Sequence, residues 1–362
     1  MVYLKLMKKN IIILTAILGV LTCCKKIYNP EINNQLEALV VEGLITNTNG
    51  PYSVRLSKAI PYDSAAGRVP VIGALLTIND NNQNSYQLNE SSAGVYNSDV
   101  NFIGLSGTAY TLHIETRQGD IYESSPQLLP PPPSFDSIHG FISAKEILVE
   151  TSGNGYIVSY INGVNVLLDL NKQSSGLLPL YRFKSSLLIE YTYTEQLKGS
   201  PPPNPRTFYF WNTFNLENAI TGTKYTTTSA SIKNQSVCFF STSKYSYNIG
   251  DTSSISNFIV TFKQFNLNSE SYNYYKGVNM QLASEGKLFD PIASQLNGNI
   301  KCINDSKKLA LGLFEASSIQ TVTYIVNPNS TDKSASFKKI NNLGPIPGSG
   351  VTIDSIPYFW VK

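Results

Sequence analysis

The sequence has few of the residues on which most enzyme active sites depend. Its 362 residues include 2 His and 4 Cys, and 15% are charged, against about a quarter in typical domains. His113 and His139 lie in different predicted domains, whereas a zinc site needs about three or four converging ligands. There is no Gly-x-Ser-x-Gly motif of the kind that carries a nucleophilic serine. We therefore predict no catalytic residue, no metal and no cofactor.

The chain also lacks an excess of basic residues beyond its first segment. Of 28 Lys and Arg, three precede Cys23, which leaves 25 against 25 Asp and Glu. Binding to nucleic acid requires a basic surface that neutralises phosphates. The sequence therefore predicts no nucleic-acid partner.

The N-terminal segment has the pattern of a secretory signal. Three lysines precede an apolar run from Ile11 to Leu21 that only Thr15 interrupts. This run is too short to span a bilayer, since spanning takes about 20 apolar residues. A polar stretch follows, so the segment is predicted to be a signal peptide over residues 1–23.

Two adjacent cysteines end the apolar run in "LTCC". Bacterial lipoprotein signals end on Leu, small residues and a cysteine that is acylated and becomes the first mature residue. Cys24 fits best because Leu21 then lies three positions before it; Cys23, with Val20 in that place, is the alternative. A signal peptide with incidental cysteines stays open as the simpler interpretation. Residues 24–37 are predicted to be a polar tether between the lipid and the first domain.

Residues 38–129 show the period of two that is typical of half-buried strands. For example, Tyr52, Val54 and Leu56 alternate with polar residues, and turn signals such as "NTNGP" at 47–51 separate the strands. Short strands at this spacing predict an immunoglobulin-like β-sandwich over 38–129.

A proline run separates this region from the rest of the chain. We interpret residues 130–135 as a stiff spacer, because prolines favour an extended polyproline conformation and donate no N–H to a sheet. Residues 136–362 are predicted to form a second, larger β-rich domain. Within it, Asn162-Gly163 is predicted to be a hairpin turn, because both residues tolerate positive φ.

One helix is predicted in the second domain, near residues 269–286. Ser269 is expected to cap its N-terminus and Gly286 to end it. The apolar residues that follow helical spacing are Tyr275, Val278 and Leu282.

Cys238 and Cys302 are the cysteines that remain after the signal. Because the mature chain would pass through an oxidising compartment, we predict a disulfide between them. Two buried thiols are the alternative.

Two local patterns have simpler interpretations than binding sites. The polar stretch "NDNNQNS" at 79–85 lacks the central Gly and the closing Glu of a calcium-binding EF-hand loop, so it is predicted to be a hairpin turn. The aromatic stretches "FYFW" at 208–211 and "PYFW" at 357–360 are interpreted as core rather than as a ligand surface.

An ordered set of motifs resembles a known family. They are "LVVEGLITN", "GPYSVRLSKAIPYDS", "LYRFKSS", "FKQFNLNSESYNYYK", "GKLFDP", "GNI" and "LGLFEAS". Together they resemble domain of unknown function 4249, a lipoprotein family typical of Bacteroidota-type envelopes. The resemblance covers nearly the whole mature chain. It implies an outer-membrane lipoprotein that works with a TonB-dependent transporter, and it implies no catalytic residue.

We therefore expect a non-enzymatic, lipid-anchored accessory or binding protein at the outer membrane, on either its cell-surface or its periplasmic face. The alternative is a surface structural or adhesin-type protein whose sandwiches join by strand addition. An enzyme acting on glycans or peptides is a third hypothesis.

Overall fold

The computed structural model describes residues 38–341 with gaps at 60–67, 135, 153–154, 171–179, 196–205, 217–218, 223–231, 243–252, 283–295, 297 and 328–333. The predicted signal, Cys23, Cys24, the tether, Gly286 and the stretch 357–360 lie outside the described residues. Within them, no helix is both long enough and apolar enough to cross a membrane.

The described residues are mainly β with one helix, which confirms the predicted fold class. In chain order the elements are β1 (Leu39–Ile45), β2 (Ser53–Lys58), β3 (Val69–Pro70), β4 (Leu75–Asp80), β5 (Ser85–Ser92), β6 (Val95–Asn97), β7 (Ala109–Glu115), β8 (Ile121–Ser124), β9 (Gln127–Leu128), β10 (Ser137–Glu150), β11 (Tyr156–Leu170), β12 (Leu180–Glu195), β13 (Arg206–Asn215), β14 (Ala219–Gly222), β15 (Ile232–Ser241), β16 (Ser253–Asn266), α1 (Ser269–Leu282), β17 (Ile300–Cys302), β18 (Ala310–Ala316), β19 (Ser318–Asn327) and β20 (Ser336–Ile340).

The first sheet is 11-stranded, with the order β17-β8-β7-β4-β5-β6-β2-β1-β18; β3 and β9 pair with β2 and β7. Strand β5 pairs with β4 along its first half and with β6 along its second half. The alternating apolar residues of these strands form one core, which includes Val41, Val54, Ile78, Leu112 and Phe314. The period-two pattern of the sequence therefore builds this core directly.

Two of these strands come from far along the chain. Strand β18 pairs in parallel with β1, and β17 pairs with β8. Gly312 in β18 has a φ of +95°, and a Cβ there would lie 2.0 Å from the Val41 carbonyl oxygen, so only glycine fits this approach. The immunoglobulin-like assignment and the boundaries 38–129 and 136–362 stay predictions, but the sheet that contains 38–129 also takes strands from residues 300–316.

The other two sheets face each other across a second core. The 3-stranded sheet has the order β10-β11-β15, and the 6-stranded sheet has the order β13-β12-β16-β19-β20 with β14 beside β12. Their shared core includes Val166, Leu168, Phe183, Phe240 and Phe262.

The predicted turn at Asn162-Gly163 is wrong. Both residues lie inside β11, opposite Ala144 and Ser143 of β10. The hairpin instead closes between Glu150 and Tyr156, where the Thr151 N–H donates to the Gly155 carbonyl at 2.8 Å. Gly163 is required for another reason, since a Cβ there would lie 2.2 Å from the Phe240 carbonyl oxygen on β15.

The proline run is held by hydrogen bonds to its backbone carbonyl groups. Asn266 Nδ2 donates to the Pro131 carbonyl at 2.8 Å, and Ser318 Oγ donates to the Pro130 carbonyl at 2.5 Å. Prolines keep their carbonyl acceptors although they have no N–H. This segment is therefore bonded to the 6-stranded sheet at Pro130 and Pro131, and its role as a spacer between two domains stays a prediction.

Helix α1 begins one residue after its cap. Asn268, and not Ser269, is the N-cap: its Oδ1 accepts from the Ser271 N–H at 2.8 Å, and its carbonyl accepts from the Tyr272 N–H at 3.0 Å. Tyr272 and Tyr275 pack on a small cluster of Leu180, Phe265 and Leu267, beside Leu44 and Ile319. The predicted stripe is partly wrong, since the side chain of Leu282 is 78% exposed.

Candidate binding groove

A buried ion pair links the start of β12 to β18. Arg182 Nη2 lies 3.0 Å from both carboxylate oxygens of Glu315, and the two side chains are 5% and 1% exposed. Burial of two charges costs free energy unless further hydrogen bonds compensate both groups. The neighbours of Glu315 supply such bonds to the carboxylate, whereas Arg182 Nε is buried without a hydrogen-bond partner among the described residues.

Glu315 accepts two additional hydrogen bonds. Ser317 Oγ donates to Oε1 at 2.5 Å, and the Tyr275 hydroxyl donates to Oε2 at 2.5 Å. Burial, together with the nearby Glu315 charge, raises the pKa of Tyr275 far above its usual value. Tyr275 therefore stays a neutral donor to Glu315.

The guanidinium of Arg182 lies between two aromatic rings. Its Cζ is 4.0 Å from the centroid of Phe265 on β16 and 4.3 Å from the centroid of Tyr275 on α1. Such cation–π contacts contribute about 2 kcal/mol or more when water is excluded. The Arg182–Glu315–Tyr275 network thus joins two strands and the helix into one rigid arrangement.

An open groove of about 650 Å³ lies against this network. Strands β1, β2, β12 and β18 and helix α1 form its walls. Its lining residues are Glu42, Gly43, Leu44, Thr46, Pro51, Tyr52, Ser53, Arg55, Arg182, Lys184, Tyr274, Tyr275, Val278 and Leu313. Arg182 and Tyr275 therefore belong both to the buried network and to the lining of an open groove.

The motifs that resemble one family meet at this groove. "LYRFKSS" supplies Arg182, "ESYNYYK" supplies Tyr275, "LGLFEAS" supplies Leu313 and "LVVEGLITN" supplies Leu44. "FKQFNL" supplies Phe265, which contacts Arg182. These segments are distant in sequence, so the groove exists only in the folded chain.

A second polar cluster holds the start of α1 to β9. Gln127 Nε2 and Ser125 Oγ each donate to Glu270 Oε2 at 2.6 Å, and Asn268 Nδ2 donates to Gln127 Oε1 at 2.7 Å. Gln127 is fully buried. These bonds fix the helix relative to the first sheet and so fix the groove wall that the helix provides.

The predicted disulfide between Cys238 and Cys302 is not formed in the structure. Cys238 is buried on β15 opposite Val166, within the core of the second and third sheets. Cys302 lies on β17 opposite Tyr122, against the core of the first sheet. The two cysteines belong to different sheets with separate cores. The prediction that they form a disulfide because they are the two that remain after the signal is therefore corrected.

The two histidines lie in separate places, as their sequence positions predict. His113 Nδ1 is 3.0 Å from Glu123 Oε1 on the neighbouring strand, and His139 Nε2 is 2.9 Å from Asn234 Oδ1. Within the described residues, no three His, Cys, Asp or Glu side chains are grouped so that they could hold a metal ion.

The stretch 79–85 forms the predicted hairpin turn between β4 and β5. Asp80 Oδ1 accepts from the Asn82 and Asn84 N–H groups at 2.9 Å each, and Oδ2 accepts from Asn84 Nδ2 at 2.9 Å. Burial acts to raise the pKa of Asp80, but these bonds and one from Tyr86 outweigh it and lower the pKa. The Asp80 carboxylate therefore stabilises the turn through these hydrogen bonds.

The aromatic stretch 208–211 supplies core residues where its side chains are described. Trp211 is 1% exposed, and Phe210 packs against the core of the second and third sheets. The prediction of core rather than ligand surface is confirmed for these two residues.

Sequence reasoning did not single out Arg182, Glu315 and Tyr275 as site residues. A signal was present, because Arg182 and Glu315 are isolated opposite charges inside apolar strand segments, "LLPLYRF" and "LGLFEA". An isolated charge that a strand buries requires a partner. The sequence could not show which charges would pair.

The fold and the groove define a β-rich protein with an open cleft. The chain belongs to the family described as Domain of unknown function (DUF4249), whose model matches residues 25–323. Neither the search of curated proteins nor the search of solved structures found a match.

Proposed function

We propose that this protein is a non-catalytic, lipid-anchored binding lipoprotein of the outer membrane that works beside a TonB-dependent transporter in substrate capture or gating. The observation that carries the proposal is the groove above the Arg182–Glu315–Tyr275 network. A cleft whose lining residues are held by a buried network binds without the entropic cost of ordering them.

The acidic groups at the groove support a binding role over catalysis. Glu315 is held by Arg182, Tyr275 and Ser317, and Glu42 forms an ion pair with Arg68 at 2.6 Å. A general acid or base must reach the substrate within hydrogen-bond distance. These carboxylates are engaged with protein partners instead.

The N-terminal sequence supports the anchor. Lipidation of Cys24 would hold the protein at the membrane, since each buried methylene contributes about 0.8 kcal/mol. Residues 24–37 would then act as a tether that raises the effective concentration for a neighbouring membrane protein. The family resemblance favours a TonB-dependent β-barrel as this neighbour.

Cross-linking in intact cells tests this proposal. We expect mass spectrometry to recover an outer-membrane β-barrel transporter with the wild-type protein and to lose it with Cys24→Ala. Equal recovery of many unrelated envelope proteins, or no barrel, would contradict the transporter role. Turnover of a glycan or peptide by the purified protein, lost on replacing one acid, would favour the enzyme hypothesis.

A surface structural role is the second candidate, and the β10–β11 hairpin favours it. Strand β15 pairs only with Gly163–Leu170 of β11 among the described residues, so the hairpin extends beyond it. Exposed edges of this kind can add a strand from a second copy of the chain. Its exposed apolar side chains are Leu148, Val149, Tyr156, Ile157, Val158 and Tyr160.

The assembly state separates the two candidates. A structural protein should form long assemblies that Val158→Asp disrupts. An accessory protein should instead be recovered with the barrel, and the amount recovered with the barrel should not depend on self-association. Light scattering of the purified protein and its Val158→Asp variant measures the difference.

A further inference from the structure

Two lysines lie side by side on neighbouring strands, and one of them lines the groove. Lys184 on β12 is directly opposite Lys263 on β16 in the antiparallel ladder, and Lys184 lines the groove. Opposed residues have Cβ atoms about 4.5–5.5 Å apart, where like charges destabilise the sheet. Within the described part of the chain, neither ammonium group forms an ion pair, so an anion that binds between them would relieve this repulsion.

The surroundings of Lys184 increase the need for a counter-charge. Much of the surface of Lys184 is accessible to solvent. The groove walls nevertheless remove part of the water around its ammonium group, and this desolvation lowers the pKa of Lys184. The nearby Arg182 and Lys263 charges lower the pKa further, while Glu315 opposes them. Since Glu315 is already bonded to Arg182, it compensates Lys184 weakly.

The remaining charges of the groove do not balance this cationic side. Glu42 lies directly opposite Arg55 in the β1–β2 ladder and is also bonded to Arg68 at 2.6 Å. One acid therefore faces two arginines, and Lys184 adds a further positive charge to the lining. The groove is cationic although the mature chain has equal numbers of acidic and basic residues.

An aromatic side chain lines the same groove as Lys184. Tyr274 lines the groove, and its ring lies edge-on to Tyr275, with centroids 5.7 Å apart and an interplanar angle of 82°. Tyr275 in turn contacts the Arg182 guanidinium through its ring. An apolar or ring-shaped body can pack against an aromatic side chain such as Tyr274.

We propose that the groove binds a small organic anion, whose carboxylate lies at Lys184 and Lys263 and whose body packs against Tyr274. This inference rests on the proposed binding function and adds the chemical class of the ligand. Each lysine offers three N–H donors on a point charge, and charge-assisted bonds to a carboxylate are about twice as strong as neutral ones.

Isothermal titration with benzoate and benzamide tests the proposal, because the two probes share a ring and differ in charge. The full-length protein in a non-ionic detergent should bind benzoate and bind benzamide about tenfold more weakly or not at all. The double variant Lys184→Gln/Lys263→Gln should weaken benzoate binding about tenfold or more. Tyr274→Ala should weaken it about fivefold.

The matched control is Lys338→Gln/Lys339→Gln, which removes two exposed lysines of β20 in the same sheet. It should leave benzoate affinity unchanged. Equal binding of both probes, or equal losses in the two double variants, would overturn the proposal. Cross-linking of Lys184→Gln/Lys263→Gln to the barrel in cells should persist, so failure of the anion site and failure of the transporter role are separate results.

Discussion

Arg182 and Glu315 lie 133 residues apart in the chain and form a buried ion pair, with Arg182 Nη2 3.0 Å from both carboxylate oxygens. The pair connects the 6-stranded sheet to the 11-stranded sheet. Tyr275 adds the helix through its bond to Glu315. One network therefore holds three elements that form the walls of the groove.

Glu315→Gln should reduce the free energy of unfolding by about 3–5 kcal/mol, because it leaves the Arg182 charge buried without compensation. Urea denaturation measures this loss. The matched control is Glu42→Gln, which removes an exposed ion pair with Arg68 and should cost about 0–1 kcal/mol. Similar losses in both variants would show that the buried pair has no special role.

The double variant Arg182→Met/Glu315→Leu should be more stable than Glu315→Gln. Replacement of both buried charges by apolar groups removes the desolvation cost together with the attraction. Tyr275 and Ser317 then lose an acceptor, so a residual cost of about 1–3 kcal/mol is expected. A double variant less stable than the single one would contradict the coupling of the two charges.

Asn268→Ala should destabilise the protein by about 1–2 kcal/mol, since Asn268 caps α1 and bonds to Gln127. The neighbouring Ser269→Ala should change the free energy of unfolding little, because Ser269 is exposed and lies inside the first turn. Thermal unfolding of the two variants measures this difference. A larger loss for Ser269→Ala would assign the cap to Ser269.

Asp80→Asn should cost about 1 kcal/mol at neutral pH, the usual net contribution of a hydrogen bond. The pKa of Asp80 is below its ordinary value of 3.8 in the folded protein. Its charge therefore stabilises the fold above pH 3.8, and this contribution disappears as the pH falls through the lowered pKa. The difference between wild type and variant should shrink below pH 3.8 in urea titrations and stay constant at higher pH.

Cys238 and Cys302 should both react with a thiol reagent in the denatured, unreduced protein, because the structure does not join them. In the folded protein Cys302 should react first, since Cys238 is buried and Cys302 is half-buried. Absence of thiol titration in the denatured mature protein would restore the disulfide.

Cys24→Ala should block processing or release the protein from the membrane, since Cys24 is the predicted lipidation site. Detergent partitioning and the intact mass of the mature chain measure this. Cys23→Ala provides the comparison and should leave the anchor intact. An unmodified amine at residue 24 or beyond in the wild-type protein would contradict lipidation.

Local patterns were enough for the strands and the helix. Alternation such as Tyr110, Leu112 and Ile114 puts apolar side chains on one face of a strand whatever its partners are, and the structure buries all three. The turn after Asp80 was also predictable, because Asp and Asn side chains bond to their own backbone.

Local patterns failed where a distant strand changed the outcome. Asn162-Gly163 favours a turn, yet pairing with β10 and β15 keeps it inside β11. Elimination pairs Cys238 with Cys302, but the two cysteines belong to different cores.

By itself, the sequence determined the β-rich class, the helix near Ser269 and the family, because these depend on periodicity and on ordered motifs. Only the tertiary structure decided that Arg182 meets Glu315, that β18 joins β1, and that a cationic groove lies beside the helix. The physical reason is that a buried charge requires a partner, and the free energy of the interaction between the two charges depends on their distance in space. The fold sets that distance for residues 133 positions apart.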